Sequence, residues 1–349
     1  MDRASLIEHV KGGEIVADVD LGGLDLSGAD LSGAVFDKVR LAGAVLRGAR
    51  VEESTFSRCD LTGCDLRGAD LHLTSVSHST LAGARFEDAR LVLTTFAEDD
   101  LDRAVFARAT LSVATFSRCS LTGVEFFSAD LDKARILEST LDRARFGGAN
   151  LTKATLYRAD LTKADLAGAR LVLTVLVEAK LGPKDFSGQR LDQVQFIDAA
   201  LAGASFAGAD VTQCNFKGAD LAGAVFRDAR AARCLFYEAR LPAATLAGAQ
   251  LVQSIFMDAD LTAADLSGAN LEQVTFTRAK AQKARFDGSN LTYADFSNAD
   301  VSGADFSNAT LFRARFHRTK EEGATFTNRA AALGDDRDLA EAEAFEPRY

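Results

Sequence analysis

Residues able to carry acid–base, nucleophilic or metal chemistry are sparse in this chain of 349 residues. The four histidines (His9, His72, His78 and His317) are scattered, and no pair has the spacing of metal ligands. No Cys-x-x-Cys, phosphate loop or nucleophile elbow occurs. Cys214 and Cys234 lie twenty residues apart, so a disulfide is conceivable. The odd count, with Cys59, Cys64 and Cys119, favours reduced thiols that pack as slightly enlarged alanines. Aspartates such as Asp20, Asp60, Asp100 and Asp160 fall in register and suggest a calcium ladder, but Arg40, Thr80 and Thr140 interleave them, which fits solvated pairs better. The expectation is a non-enzymatic protein with no catalytic residue, no metal site and no cofactor.

Residues suited to binding are more regular. At a spacing of twenty stand Leu137, Tyr157, Val177, Ile197, Lys217, Tyr237 and Met257, and beside them Val175, Leu235 and Ile255. The same register is polar before and after, at Ser77, Ser117, Thr277 and Ser297. Glu138, Arg158, Glu178, Asp198, Glu238 and Asp258 border the set. If residues twenty apart stack, this is an apolar stripe about seven turns long, rimmed by charge and holding Tyr and Met, the composition of a protein contact. Leu73, Leu93 and Val113 form a second apolar column.

Stacking at twenty follows from the backbone pattern. From Leu21 to Phe326 a large apolar residue returns every fifth position, and a small one, usually Ala, sits two positions before it. We call the large residue the centre. A helix needs apolar spacing of three and four, and a half-buried strand needs two. Five suits a chain that turns a corner at each repeat, and four such sides close a coil of twenty residues. Phenylalanine centres support four sides independently. All of them end in 6 and none in 1, where leucine prevails, so wide and narrow side chains occupy opposite pairs of walls. Gly28, Gly48, Gly68, Gly203 and Gly268 follow their centres by two, which suits a turn with positive φ. Periodicity of this kind is read before any element is assigned.

The A-(D/N/R/T)-(L/F)-x-(G/x) pattern closely resembles the pentapeptide-repeat family. That resemblance implies an all-β chain, a right-handed quadrilateral β-helix of about 15 turns, on the order of 75 Å long at the strand spacing. A solenoid end needs a cap. Residues 1–20 read as an N-terminal cap, with a short helix over 2–11 that buries Leu6, Ile7 and Val10. The coil then occupies 21–328. Residues 329–349 read as a helical cap, N-capped by Asp335 or Asp336 and presenting Leu339, Ala342 and Phe345. Ala231 and Ala281 replace large centres, Glu321 marks the end of the coil, and Asp99, Lys184 and Gln189 put polar groups at inward positions. Local loosening over 181–190, with the Lys184 ammonium exposed, is the expected response to the cost of burying charge.

Three functions are compatible. The first is a binding scaffold or adaptor that uses the stripe to hold another protein. The second is the DNA mimicry of the gyrase-targeting members of the resembled family, with a homodimer formed through the C-terminal tail. Duplex DNA carries a charge per ~1.7 Å, so a mimic of this length needs some forty negative charges. The formal net charge of −10 lies mostly at the two ends of the chain, which leaves the coil nearly neutral. The third is a refinement of the first. The run Gly22-Gly23-Leu24-Asp25-Leu26-Ser27-Gly28-Ala29-Asp30 and the tail segments Ala332-Leu333-Gly334-Asp335-Asp336 and Leu339-Ala340-Glu341-Ala342-Glu343 are similar to pentapeptide-repeat proteins associated with bacterial type VI secretion. That similarity implies a role in loading an effector or spike component. The expected setting is cytoplasmic, with no apolar run long enough for a membrane span and no nucleic-acid partner.

Overall fold

The polypeptide winds rather than folds back, because every fifth residue must reach one narrow interior. The computed structural model describes residues 1–344, and the chain divides into two compact units, Met1–Lys180 and Leu181–Tyr349.

In the first unit, helix α1 (Arg3–Lys11) opens the chain. The Asp2 carboxylate accepts from the Ser5 amide, and Leu6 and Val10 are buried beneath it, whereas Ile7 is half-buried. Eight short strands follow, one per turn: β1 (Val16–Ala17), β2 (Val35–Asp37), β3 (Thr55–Ser57), β4 (Ser75–Ser77), β5 (Thr95–Ala97), β6 (Thr115–Ser117), β7 (Arg135–Leu137) and β8 (Thr155–Tyr157). They pair in chain order as one parallel sheet, each residue opposite the one twenty later, as in Phe36 with Phe56. Three further walls are built from single parallel bridges of the same offset, such as Asp20–Arg40, Asp25–Val45 and Asp30–Arg50. The coil is therefore four-sided.

The second unit keeps the offset of twenty, seen at Asp185–Ser205, Arg190–Asp210, Gln195–Asn215 and Ala200–Asp220. Its strands are confined to β9 (Asp305–Phe306) and β10 (Thr325–Phe326). A 3-10 turn, Arg329–Ala331, and helix α2 (Arg337–Glu343), N-capped by Asp336, close its end. Glu321, the charged centre, is held by Arg329 at 2.7 Å, and the same guanidinium lies 4.5 Å from the centre of the Phe316 ring. The expected apolar face of α2 is weaker than supposed: Leu339 is half-buried and Ala342 exposed. The helix is held instead by Glu343, 2.7 Å from Arg318. Phe345 lies outside the described residues.

Two files of stacked rings run through the interior beside the buried leucine centres. Phe86 lies on Phe106 at 4.6 Å, and Phe96 on Phe116 at 5.0 Å. The two files meet edge to face, as in Phe106 and Phe116 at 5.9 Å. The second unit repeats this with Phe206–Phe226, Phe216–Phe236 and the crossing pair Phe216–Phe226. Offset stacks and T-shaped crossings are the favoured aromatic geometries. The small residue before each centre leaves room for them. Ala231 and Ala281 do not interrupt the winding: their amides donate to the Gln250 and Asp300 carbonyls, nineteen residues on, as the Leu221 amide does to Arg240.

Each corner is turned by the residue two after the centre. From Asp18 to Gly323 this residue has φ near +60°, whether glycine or not, at every repeat except Lys163 and Pro183. Arginine, glutamate, leucine and tyrosine all adopt it, although the left-handed region costs a side-chain-bearing residue about 1–2 kcal/mol. The turn is over-determined by bonds along the axis, such as the Leu73 amide to the Val92 carbonyl at 3.1 Å. Pro183 cannot take positive φ. Gly182 takes it instead (φ 58°), and the Lys184 amide bonds back to the Gly182 carbonyl at 2.8 Å. This is the irregularity expected over 181–190. Lys184 and Gln189 are half-buried there, so neither is sealed in the interior.

Candidate functional site

The inward groups are satisfied rather than reactive. All five cysteines are free and buried. Burial pushes the Cys64 and Cys214 thiols up to about 12 and Cys119 to about 11, so none is a ready nucleophile. The Cys214 and Cys234 thiols donate to the Leu191 and Val211 carbonyls at 2.8 and 2.9 Å. Ser54, Thr74, Thr94 and Thr174 use the same bond, so these inward side chains cap carbonyls of the turn before. No group of three His, Cys, Asp or Glu side chains able to hold a metal occurs among the described residues. The aspartate column is only partly paired: Asp20 meets Arg40 at 2.9 Å and Asp160 meets Lys180 at 3.9 Å, whereas Asp60 and Asp100 accept the Thr62 and Asp102 amides two residues on.

Asp99 is the inward charge. It is 3 % exposed, and its carboxylate accepts from the Ser79 amide at 2.7 Å and the Ala97 amide at 2.9 Å. Desolvation outweighs those two bonds and lifts its pKa to about 7. A cavity of about 250 Å³ is lined by Thr140, Leu141, Asp142, Asp160, Thr162 and Lys163. Its charges are neutralised locally, Lys163 on Asp142 at 3.3 Å and Lys180 on Asp160 at 3.9 Å.

The outward apolar residues sit one per turn, as the spacing requires. In the first unit Leu137 pairs with Tyr157 across β7 and β8. The Arg158 amide donates to the Val177 carbonyl, and Val175 bridges Thr155, so all four face one wall. Each is half-buried. The Tyr157 ring lies under Arg158 at 4.9 Å, and its hydroxyl donates to Glu178 at 3.3 Å. In the second unit the amides of Asp198, Gly218 and Glu238 donate to the carbonyls of Lys217, Tyr237 and Met257. That places Ile197, Lys217, Tyr237 and Met257 in one column. Leu235 bridges Ile255 beside it and is 39 % exposed. The Lys217 ammonium stands 5.5 Å from the Tyr237 ring centre. Leu73, Leu93 and Val113 are also exposed, at left-handed corners.

One exposed aromatic pair was missed in the sequence. Tyr293 and Phe312 meet edge to face at 5.8 Å near the end of the second unit, with Arg313 over Phe312. The signal was available, since Phe312 is one of the few phenylalanines off the five-residue beat.

The profile described as Pentapeptide repeats (8 copies) matches residues 17–52, 54–91, 100–136, 139–176, 185–218 and 289–328, and the Pentapeptide repeat region profile matches 209–286. Among curated protein sequences none matches this one. Similar solved structures include QnrB1, a plasmid-mediated fluoroquinolone resistance protein (21% identity, 59% of this chain, 91% of that one, TM-score 0.34). Another is HetL, involved in heterocyst differentiation regulation in the cyanobacterium Nostoc sp. strain PCC 7120 (24% identity, 90% and 96% covered, TM-score 0.18). A third is Rfr23 from the cyanobacterium Cyanothece 51142 (19% identity, 33% and 86% covered, TM-score 0.21). With profile matches spanning most of a coil that rises one turn per twenty residues, the chain belongs to the pentapeptide-repeat family.

Proposed function

We propose that this pentapeptide-repeat solenoid is a non-enzymatic scaffold that docks another protein on its outer apolar columns. The observation that supports the reading is the register of those columns. Leu137, Tyr157, Val175 and Val177 in the first unit, and Ile197, Leu235, Tyr237, Ile255 and Met257 in the second, put apolar surface on outward positions that elsewhere hold Ser57, Ser77 and Ser117. An outward position needs no apolar group for the winding, because the centres and small residues already fill the interior. β-propensity favours Val and Ile on a wall. It does not account for Met257, nor for tyrosines beside cations, a common feature of protein contacts.

Mimicry of DNA is disfavoured by the pairing of charges along the walls, Asp20–Arg40 and Arg118–Glu138 among them, which breaks up any continuous negative track. Loading of a secretion effector or spike component is one form the docking would take, in a cytoplasmic setting. The test is direct. Replacing Tyr157, Ile197 and Tyr237 together with Ser should abolish association with the partner recovered by co-purification and named by mass spectrometry. The circular dichroism spectrum and melting temperature should stay as in the parent. Undiminished association would refute the reading.

A further inference from the structure

The end segment of the second unit closes one side of a cavity that the winding alone would leave open. Three exposed apolar side chains meet there: Tyr293, Phe312 and Leu333, 47 %, 52 % and 48 % exposed. Tyr293 and Arg313 hold one left-handed corner on successive turns, at φ 59° and 55°. Asp295 and Arg315 stand beside them in the same register, and Leu333 bridges Arg315 where a further repeat would have come. These residues, with Ala294, line a cavity of about 290 Å³. The winding does not require a ring at either place, because the equivalent positions one turn earlier are Gln273 and Thr292.

The charges lining the cavity do not cancel. Asp295 lies 3.7 Å from Arg315. Arg313 forms no ion pair among the described residues. Its guanidinium stands 5.9 Å from the Phe312 ring centre, a contact that leaves the charge unneutralised. The acids nearest along the chain are engaged elsewhere. Glu321 meets Arg329 and Glu343 meets Arg318, each at 2.7 Å. Asp335 and Asp336 accept the Arg318 and Leu339 amides. Glu322 belongs to the Ser302 column of another wall, and Arg337 and Asp338 of α2 offset each other in sign. Glu272, which forms no ion pair among the described residues, is two turns from Phe312, or roughly 10 Å. One positive charge is therefore left over at the cavity.

We propose that this cavity binds an organic monocarboxylate with a ring-sized apolar body. The body lies against Tyr293 and Leu333, and the carboxylate meets the planar fork of Arg313. The volume is at the small end for ligand pockets, which limits the guest to one ring or one terminal residue. A free aryl-alkyl acid and the C-terminal residue of a polypeptide share this chemistry. The inference does not depend on the docking columns, which lie on other turns.

The probe is N-acetyl-phenylalanine, titrated against the full chain by saturation-transfer NMR, with N-acetyl-phenylalaninamide as the uncharged counterpart. The acid should bind, weaken at high salt, and lose about tenfold or more in affinity with Arg313→Gln. Glutamine already holds the same corner at Gln253 and Gln273, so the backbone is kept. Asp295→Asn, which frees Arg315, should tighten the acid. Arg103→Gln, at an exposed left-handed corner of the first unit, should leave the affinity unchanged. Equal binding of acid and amide, or indifference to Arg313→Gln, overturns the carboxylate. Absence of binding at millimolar probe overturns the site. If 3-phenylpropanoate binds as well as the probe, the guest is a free acid; tighter binding of a peptide ending in phenylalanine identifies a polypeptide C-terminus. A dimer mass in solution that Tyr293→Ala plus Phe312→Ser returns to monomer would assign the rings to a second copy and overturn the proposal.

Discussion

Two stretches with the same beat build different walls. In the first unit β2 to β8 form a continuous strand wall, and in the second the wall from Phe196 to Phe276 is a series of turns joined by single bridges. The centres do not explain this, because both walls carry mostly aromatic centres with the same stacking. The small residue after the wall does. In the second unit it is Ala199, Ala219, Ala239 or Ala259, and its amide closes a tight turn on the preceding centre, as in Ala219 to Phe216 at 3.0 Å. In the first unit it is Cys59, Ser79, Asp99, Cys119 or Ser139 from β3 to β7, with Val39 after β2 and Ala159 after β8. There the Cys59 amide donates to the Ser79 hydroxyl, Ser79 to Asp99 and Cys119 to Ser139. A polar side chain on the next turn draws the amide along the axis, the tight turn opens, and the wall flattens. From β3 to β7 one inward residue in twenty thus goes with the flatter wall, and the turns at Val39 and Ala159 continue it at either end.

The largest expected effect tests whether the interiors are alike. Phe116→Ala and Phe216→Ala should each cost about 3–5 kcal/mol, because each opens a hole in a close-packed file of rings. Hydrogen-exchange protection should fall around the substituted turn. A cost several-fold larger in one unit would mean that the cores differ as well as the walls.

Next comes Asp99. Its carboxyl prefers the proton more strongly folded than unfolded, so stability is highest below about pH 4 and is lost as pH rises towards 7. Acids held below their usual range by hydrogen bonds and arginines, such as Asp65 and Asp88, act in the opposite direction, so the comparison must be between variants. Asp99→Ser copies Ser79 and Ser139, which accept an amide in the same column. It should stabilise the protein at pH 8 by at most about 4 kcal/mol, and the gain should shrink steadily towards pH 4. A gain independent of pH would show that the carboxylate's charge is not what strains this wall.

Converting the wall is subtler. Ala239→Ser offers the Ala219 amide an acceptor of the kind Ser79 offers Cys59. The cost should stay within about 1 kcal/mol if the turn opens towards strand geometry, and rise to about 1–3 kcal/mol if the hydroxyl is sealed in without a partner. Loss of the Ala219–Phe216 bond, read from amide exchange, distinguishes the two. Smallest is the corner itself. Gly28→Ala, at φ 64°, should cost about 1 kcal/mol in thermal unfolding, since nothing lies within contact of the added methyl and only backbone strain is introduced. Leu93→Gly, at φ 60°, should be close to neutral, strain relief offsetting the entropy of glycine.

The beat alone showed much of this protein. A spacing of five between Leu21 and Phe326 leaves few ways to bury every centre, and phenylalanine centres confined to numbers ending in 6 implied four walls with two opposed aromatic files. The columns Leu137–Tyr157 and Leu235–Ile255 were equally legible, because a fixed turn length converts sequence distance into contact. Left-handed corners could be read only where glycine stood. Arg58 or Tyr293 at the same φ is held there by bonds to the neighbouring turn, which no local propensity records. Tertiary structure alone decided three things: that the polar column from Cys59 to Ser139 goes with a flatter wall, that Asp99 is lodged between two amides, and that Asp198 and Glu238 lack the cations that Glu138 and Glu178 find in Arg118 and Arg158. Each depends on which atom of the next turn comes within hydrogen-bonding reach, and a one-dimensional period carries no distances that short.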